Sequence, residues 1–390
     1  MTPFQCSHCR QTVLFENSRC EACGSALGYI PAENQLAAFD GSAGDDDDGP
    51  GAGWLRLGGS GGRLRPCANR LAYGNCNWMI DDDDDDDDDD AELCISCRLT
   101  DVIPTLVTNP ANLQHWSAIE TAKRRLVFTL MQIGLKPQAK TGPDDKKGLA
   151  FHLLESLPGE DPVMTGHDDG LITLNIAEAD DVHREAARVA MHEPMRTLLG
   201  HLRHEVSHYL QQRYVTGTEG EALCREVFGD ERADYEQALK AHYKKGAPPD
   251  WASRFISEYA SSHPWEDWAE TCAHYLLVID AVQTASAWGL RLDGHAPTAP
   301  NEADAQLVPL KSLVLDHWLP VAQFLNSMNR SIGLRDSYPF LLPAAVLEKM
   351  AAVQDLLARA AAVDPPVAEE VVWEGEGGAL SDTGSQTPAA

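Results

Sequence analysis

The spacing of the cysteines constrains the N-terminal quarter of this chain more than any other feature. Of the 10 cysteines in 390 residues, eight lie before residue 98, and six of these eight form CxxC pairs. A CxxC pair directs two thiolates at one ion, and two pairs complete a tetrahedral all-cysteine shell. In a reducing compartment this spacing favours metal binding over disulfides. We therefore predict structural zinc in this part of the chain.

The eight cysteines form two sets of four. The first set has two CxxC pairs with ten residues between them and comprises Cys6, Cys9, Cys20 and Cys23. The second set has one pair spread over eight intervening residues and comprises Cys67, Cys76, Cys94 and Cys97. We predict a zinc ribbon at each set, with a metal-free loop as the alternative for the second. The ribbons either recruit a protein partner or cover part of a following domain.

Shifts in composition divide the chain into six predicted segments. Gly, Ala and Asp dominate between the cysteine sets, an Asp run interrupts the second set, and Pro, Glu, Gly, Ser and Ala dominate the C-terminus. The segments are a zinc ribbon at 1–30, a flexible acidic linker at 31–65, a second ribbon with the Asp insertion at 66–105, a main domain at 106–335, a helical extension at 336–363 and a disordered tail at 364–390.

Acidic residues outnumber basic ones by 60 to 31, which gives a formal charge of -29. The runs 45–48 and 81–90 supply 14 of these charges, so much of the acidity is local. This charge repels phosphate backbones and anionic membranes, and we expect no nucleic-acid partner. The chain also lacks a long apolar stretch and a secretory leader pattern, so we expect a cytoplasmic protein with no membrane partner.

The main domain begins with apolar residues at helical spacing, which are Trp116, Ile119, Ala122, Leu126, Leu130 and Ile133. Alternating patterns predict strands at 149–155 and 170–176. A helix predicted from Pro194 has an apolar stripe of Leu198, Leu199, Leu202, Val206 and Leu210. Another helix is predicted to begin near Pro264. This mixture indicates an α+β domain that is mainly helical.

The helix predicted from Pro194 carries an HExxH motif, His204-Glu205-Val206-Ser207-His208. Residues four apart lie one above the other on a helix, so both imidazoles can face one zinc ion. Glu205 then lies beside the next coordination position, where it can act as a general base. The alternative is that both histidines are hydrogen-bonded core residues.

A hydrolytic zinc site needs a third protein ligand and one open position. Glu266 follows His208 after 57 intervening residues, at the start of the second predicted helix. Either Glu266 or Glu270 could reach the metal, and Asp267 is a further alternative.

Two segments carry a specific resemblance, LLGHLRHEVSHY at 198–209 and YASSHPWEDWAETCAHY at 259–275. They resemble a bacterial family of zinc-binding metallopeptidases with an N-terminal zinc ribbon. The resemblance extends over nearly the whole chain, except for the Asp run and the acidic linker. More distantly, the ExxAE pattern is similar to gluzincins of the lethal factor type. That similarity implies Glu266 as the third zinc ligand, Glu270 as a partner of a ligand histidine, and Tyr259 as the oxyanion donor.

Several residues near these two motifs have more than one possible role. Tyr209 and Tyr235 are alternative phenols to Tyr259. His201 is expected to support the site or face solvent, and His263 and His274 to cap or pack. The strand at 170–176 resembles the substrate-binding edge strand of zincins, with an ordinary core strand as the alternative.

These observations predict a zincin-like peptidase that hydrolyses peptide or protein amide bonds. One catalytic zinc would be held by His204, His208 and Glu266, with Glu205 as the base and one or two further zinc ions in the ribbons. The alternative function is a noncatalytic zinc-binding interaction or adaptor protein.

Overall fold

The computed structural model describes residues 2–41, 53–58, 62–80, 92–107, 109–157, 159, 161–190, 196–294 and 302–363. Both Asp runs, Pro194 and the tail at 364–390 lie outside the described residues. The predictions of an Asp insertion, of a helix start at Pro194 and of a disordered tail therefore fall outside them as well. Helices and strands together confirm the α+β class. Within the described ranges, no helix is both long enough and apolar enough to cross a membrane.

The described strands belong to three sheets. They are β1 (Phe4–Gln5), β2 (Thr12–Val13), β3 (Ala26–Ile30), β4 (Gln35–Asp40), β5 (Trp54–Leu57), β6 (Arg63–Pro66), β7 (Met79–Ile80), β8 (Thr100–Val102), β9 (Ala150–Leu154), β10 (Gly166–Asp168) and β11 (Leu171–Asn175). The first two form a hairpin, β3 to β7 form an antiparallel five-stranded sheet, and the last four form a mixed sheet.

The helices supply most of the buried residues of the C-terminal core. They are α1 (Ala68–Tyr73), α2 (Asn112–Gln132), α3 (Asp181–Ala190), α4 (Leu198–Tyr214), α5 (Gly220–Phe228), α6 (Tyr235–Lys245), α7 (Pro264–Ala287), α8 (Leu310–Ser312), α9 (Leu319–Ser331) and α10 (Ala344–Val363). A π-helical segment, Leu313–Trp318, joins α8 to α9.

The flexible linker predicted at 31–65 is wrong at the positions where the structure describes strands, because β4, β5 and most of β6 lie within it. Strand β4 pairs with β3 on one side and β5 on the other, and its four central residues are buried. Two of the four are alanines, so their apolar pattern is weak in the sequence. Main-chain pairing with neighbouring strands, together with the burial of Leu36 and Phe39, orders this segment.

The zinc-ribbon region packs directly on the main domain. The rings of Phe15 and Phe128 have centroids 4.9 Å apart, and Arg124 on α2 donates to the main-chain oxygen of Asn75 at 2.7 Å. Apolar residues of both regions belong to one continuous core. The ribbons therefore cover the outer face of α2.

Helices α4 and α7 form the centre of the main domain, where the indole of Trp268 on α7 donates to the main-chain oxygen of Ser207 on α4 at 2.8 Å. The predicted extension at 336–363 is part of this core, since α10 packs on α7 and buries Val346, Met350 and Val353. Burying three such side chains contributes about 5–9 kcal/mol before the entropy cost of ordering them.

The mixed sheet has the order β10-β11-β9-β8. The strand predicted at 170–176 corresponds to β11, which pairs with β10 and β9 and is therefore interior, not an edge. Its alternating residues Ile172 and Leu174 are buried in the core, which explains the sequence pattern. The edge nearest α4 is β10, whose three residues run antiparallel to β11.

Candidate metal centre

The metal-site residues lie at two helix segments whose starts are well defined. Helix α4 begins after Thr197, whose hydroxyl accepts the main-chain N–H of Gly200 at 2.9 Å. Helix α7 begins at Pro264, as predicted, and the ring of His263 caps it by accepting the N–H of Trp265 at 3.1 Å. These caps fix the start of each helix and with it the direction of the side chains one and two turns later.

His204, His208 and Glu266 converge at one point, with their donor atoms all within 4.8 Å of one another. Oε2 of Glu266 lies 3.1 Å from Nε2 of His204 and 3.5 Å from Nε2 of His208. A tetrahedral zinc with bonds of about 2.0–2.1 Å separates its ligand atoms by about 3.3–3.4 Å. The observed distances match this spacing.

The two oxygens of Glu266 have different environments, although the side chain is buried. Oε1 accepts a hydrogen bond from the hydroxyl of Tyr235 at 2.6 Å. Oε2 is buried without a hydrogen-bond partner among the described residues. A buried carboxylate oxygen without a partner is costly. A cation facing both imidazoles would satisfy Oε2, so the donor set fits a metal ion.

His204, the first candidate ligand, is oriented by a carboxylate. Nδ1 of His204 donates to Oε1 of Glu270 at 2.7 Å, and Oε2 of Glu270 accepts from the hydroxyl of Ser257 at 2.7 Å. This contact directs the opposite nitrogen, Nε2, toward Glu266. It is the carboxylate–histidine arrangement that commonly raises the basicity of a metal ligand.

His208, the second candidate ligand, is held mainly by contacts with neighbouring aromatic rings. His208 stacks on Trp265 with centroids 4.9 Å apart and an interplanar angle of 10°. On the edge strand β10, the ring of His167 lies 6.2 Å from the ring of His208 at 20°. Burial lowers the pKa of His167 to about 4, so this ring is neutral at pH 7. Nε2 of His167 accepts the N–H of Gly170 at 3.0 Å, which leaves the proton on Nδ1.

Glu205 lies between the two ligand histidines on α4 and is only 5% exposed. Its Oε1 is 3.4 Å from Nε2 of His201. Burial alone would raise the pKa of Glu205, but His201 and the two ligand histidines hold it below its ordinary value. Glu205 is therefore a carboxylate at neutral pH, as a general base requires.

Two phenols approach the centre from the side of α6. The ring of Tyr259 lies 6.0 Å from the ring of His204, while Tyr235 contacts Glu266 directly. Burial, together with the charge of Glu266, raises the pKa of both tyrosines, so both keep their protons. Tyr209 instead donates to the main-chain oxygen of Lys147, away from the donor cluster.

The other candidates from the sequence lie elsewhere. Asp267 faces Lys349 at 2.6 Å and is 1% exposed, so it pairs with α10 rather than joining the cluster. His274 packs in the core, with Nδ1 3.0 Å from the hydroxyl of Tyr338. No local pattern predicted the contacts of His167 and Trp265 with His208, because only the folded chain brings β10 and the start of α7 to that residue.

Comparison with known proteins gives a consistent assignment. Residues 112–356 match the family described as "Putative zinc-binding metallo-peptidase", and residues 3–108 match a zinc-ribbon domain. The chain belongs to this zinc-binding metallo-peptidase family. It is 43% identical over 353 residues to uncharacterized proteins of Mycobacterium tuberculosis and Mycobacterium bovis, which covers 90% of this chain and 93% of each relative. No solved structure matches the chain significantly.

In this member of the zinc-binding metallo-peptidase family, both cysteine sets come together as predicted. In the first set, Sγ of Cys6 and Cys23 are 3.8 Å apart; in the second, Sγ of Cys76 and Cys94 are also 3.8 Å apart. A tetrahedral zinc with bonds of about 2.3 Å spaces its sulfurs by about 3.8 Å. The geometry and the zinc-ribbon match together support zinc at both sets.

Proposed function

We propose that this protein is a zinc-dependent peptidase that hydrolyses peptide or protein amide bonds, with Glu205 as the general base. The observation that carries the proposal is the position of Oε2 of Glu266, buried and within 3.5 Å of Nε2 of both His204 and His208. Three ligands of this kind leave one position for water or substrate, which is the arrangement of catalytic rather than structural zinc. The zincin-like arrangement of the domain is part of this proposal.

The side chains around the centre have distinct roles in the proposed reaction. A zinc ion bound there would polarise the scissile carbonyl and lower the pKa of water. Glu205 takes a proton from the attacking water and delivers it to the leaving amine. Tyr259 donates its O–H to the developing oxyanion of the substrate, a contribution of roughly 3–4 kcal/mol to the barrier for a well-placed donor.

An extended substrate would bind along β10. This short strand lies at the edge of the mixed sheet, and its residue His167 lies beside the ligand His208. A peptide that pairs with β10 would extend the sheet and lie across the metal centre. The strand predicted at 170–176 is the interior strand β11, so we assign the substrate-binding role to its edge neighbour β10.

The test is an unbiased peptide-library digestion by the zinc-loaded wild type and Glu205→Gln. We expect cleavage by the wild type and a fall of about 10²–10⁴-fold in the variant, which loses the base but keeps all three ligands. Glu348→Gln, at an exposed position of α10, is the matched control and should cleave like the wild type. Identical cleavage by wild type and Glu205→Gln would refute the proposal, and a metal-loaded wild type without cleavage would favour a noncatalytic zinc protein.

A further inference from the structure

Four charged side chains of alternating sign lead from the start of α4 to Glu205. Nη2 of Arg196 lies 2.5 Å from Oε1 of Glu178, which belongs to the short helical turn after β11. Oε2 of Glu178 lies 3.7 Å from Nδ1 of His201, and Nε2 of His201 lies 3.4 Å from Oε1 of Glu205. The order is Arg196, Glu178, His201, Glu205.

This series is shielded from solvent. The side chain of His201 is 16% exposed, and those of Glu178 and Glu205 are each 7% exposed. Charges buried to this degree need partners, since a buried charge without one is strongly destabilising. Each member here has a neighbour of opposite sign, and the last member is the proposed base.

The geometry favours the protonated form of His201. Both ring nitrogens face a carboxylate oxygen, one of Glu178 and one of Glu205. Both contacts lie at ion-pair distance, and a neutral imidazole would point a lone pair at one of these oxygens, whereas the imidazolium presents an N–H to each of them. Burial opposes the charge, but the two carboxylates outweigh it and raise the pKa of His201 to about 9.

We propose that His201 is a positioning residue that Glu178 holds as an imidazolium and that fixes the Glu205 carboxylate through Oε1. Oε2 of Glu205 is then presented to the attacking water, so the inference rests on the proposed peptidase function. His201 lies one helical turn before His204, but it is not part of the metal-ligating cluster. Its task is to orient the base, not to bind the ion.

The charge of His201 is tested without substrate by nitrogen-15 NMR of the histidine side chains at pH 7.5. The signals of His201 are assigned by their absence in His201→Gln. We expect the imidazolium pattern in the zinc-loaded wild type and a neutral ring in Glu178→Gln. A neutral His201 in the wild type, or an unchanged imidazolium in Glu178→Gln, would overturn the inference.

The positioning role is tested by steady-state kinetics on a cleaved peptide. For His201→Leu we expect kcat to fall by about 10²-fold with little change in KM, because a misplaced base slows the chemical step. His201→Gln keeps a hydrogen-bond donor and should recover part of the loss. His183→Gln, at an exposed position of α3, is the control.

A purely structural role for His201 predicts other results. It would lower the thermal midpoint or the zinc content and leave kcat of the loaded fraction unchanged, and that outcome would refute the positioning role. If His201→Leu does not fold, the same comparison is made with His201→Gln and Glu178→Gln. If the peptidase proposal itself fails, the wild type will cleave no peptide. The NMR experiment still decides the charge of His201 in that case, so the two failures can be told apart.

Discussion

The hydroxyl of Tyr235 donates to Oε1 of Glu266 at 2.6 Å, on the opposite oxygen from the one that faces His204 and His208. The two oxygens of this carboxylate therefore have different partners. Oε1 is held by α6, and Oε2 is the oxygen available to the metal. Glu266 is therefore arranged to bind through a single oxygen.

Substituting the two phenols separately should have different effects. Tyr235→Phe removes the hydrogen bond to Glu266, and we expect zinc affinity to fall by about 10-fold, the lower end for partners of metal ligands. Tyr259→Phe should leave zinc affinity unchanged and lower kcat, since Tyr259 is assigned to the oxyanion. Competition with a chelator measures zinc affinity, and peptide cleavage measures kcat. If Tyr259→Phe lost zinc affinity and Tyr235→Phe lost only kcat, the roles of the two tyrosines would be reversed.

Glu270 is expected to raise the zinc affinity of the site by orienting His204. Glu270→Gln keeps the size of the side chain but replaces a carboxylate by a neutral amide opposite Nδ1 of His204, which lies 2.7 Å from it in the wild type. Zinc affinity should fall by about 10–100-fold. Isothermal titration with zinc measures it, and an affinity equal to that of the wild type would show that Glu270 has no role in orienting His204.

The ion pair between Glu178 and His201 makes stability depend on pH. His201 and Arg196 outweigh burial and lower the pKa of Glu178 from 4.5 to about 2, so its contribution is present above pH 4.5 and lost as pH falls toward 2. The pKa of His201 is raised from 6.5 to about 9, so its contribution is complete below pH 6.5 and lost as pH rises toward 9.

The destabilisation caused by Glu178→Gln should therefore be largest between about pH 4.5 and 6.5. Removing one partner of a buried pair costs roughly 3 kcal/mol. Urea unfolding of wild type and variant across pH, at equal zinc, measures the difference. A destabilisation that does not vary with pH would contradict the pairing.

The two ribbon sites should release zinc at different rates. In the first, Cys9 is exposed and Cys23 is partly exposed, whereas all four sulfurs of the second belong to residues at most 2% exposed. A chelator should therefore remove zinc from the first site before the second. Cys9→Ser should abolish the early phase of zinc release. If Cys76→Ser abolished that phase instead, the second site would be the one that releases zinc first, contrary to the prediction.

Short sequence motifs were sufficient to predict which candidate metal ligands come together. The HExxH spacing places His204 and His208 on one face of α4, and Pro264 marks the start of α7. The cysteine spacing predicts both clusters, because each CxxC pair is a local geometric unit.

The strands within 31–65 could not be predicted in this way. Two of the four central residues of β4 are alanines, and the order of this strand depends on pairing with β3 and β5. Strand stability of this kind comes from cross-strand neighbours rather than from the segment itself.

Contacts that support the site are also absent from local sequence patterns. Glu178 meets His201 across 22 intervening residues, and Tyr235 meets Glu266 across 30. Such pairs form only when separate elements pack together. The sequence therefore predicted the candidate ligands more readily than the residues that orient them.

The central claim is that His204, His208 and Glu266 bind one zinc in addition to the zinc of the two cysteine clusters. Native mass spectrometry of the zinc-loaded protein tests it most directly. The three clusters predict three zinc ions per chain for the wild type and two for Glu266→Ala, with Glu348→Gln as the control that keeps three. A wild type that binds only two, or a Glu266→Ala variant that still binds three, would contradict the account.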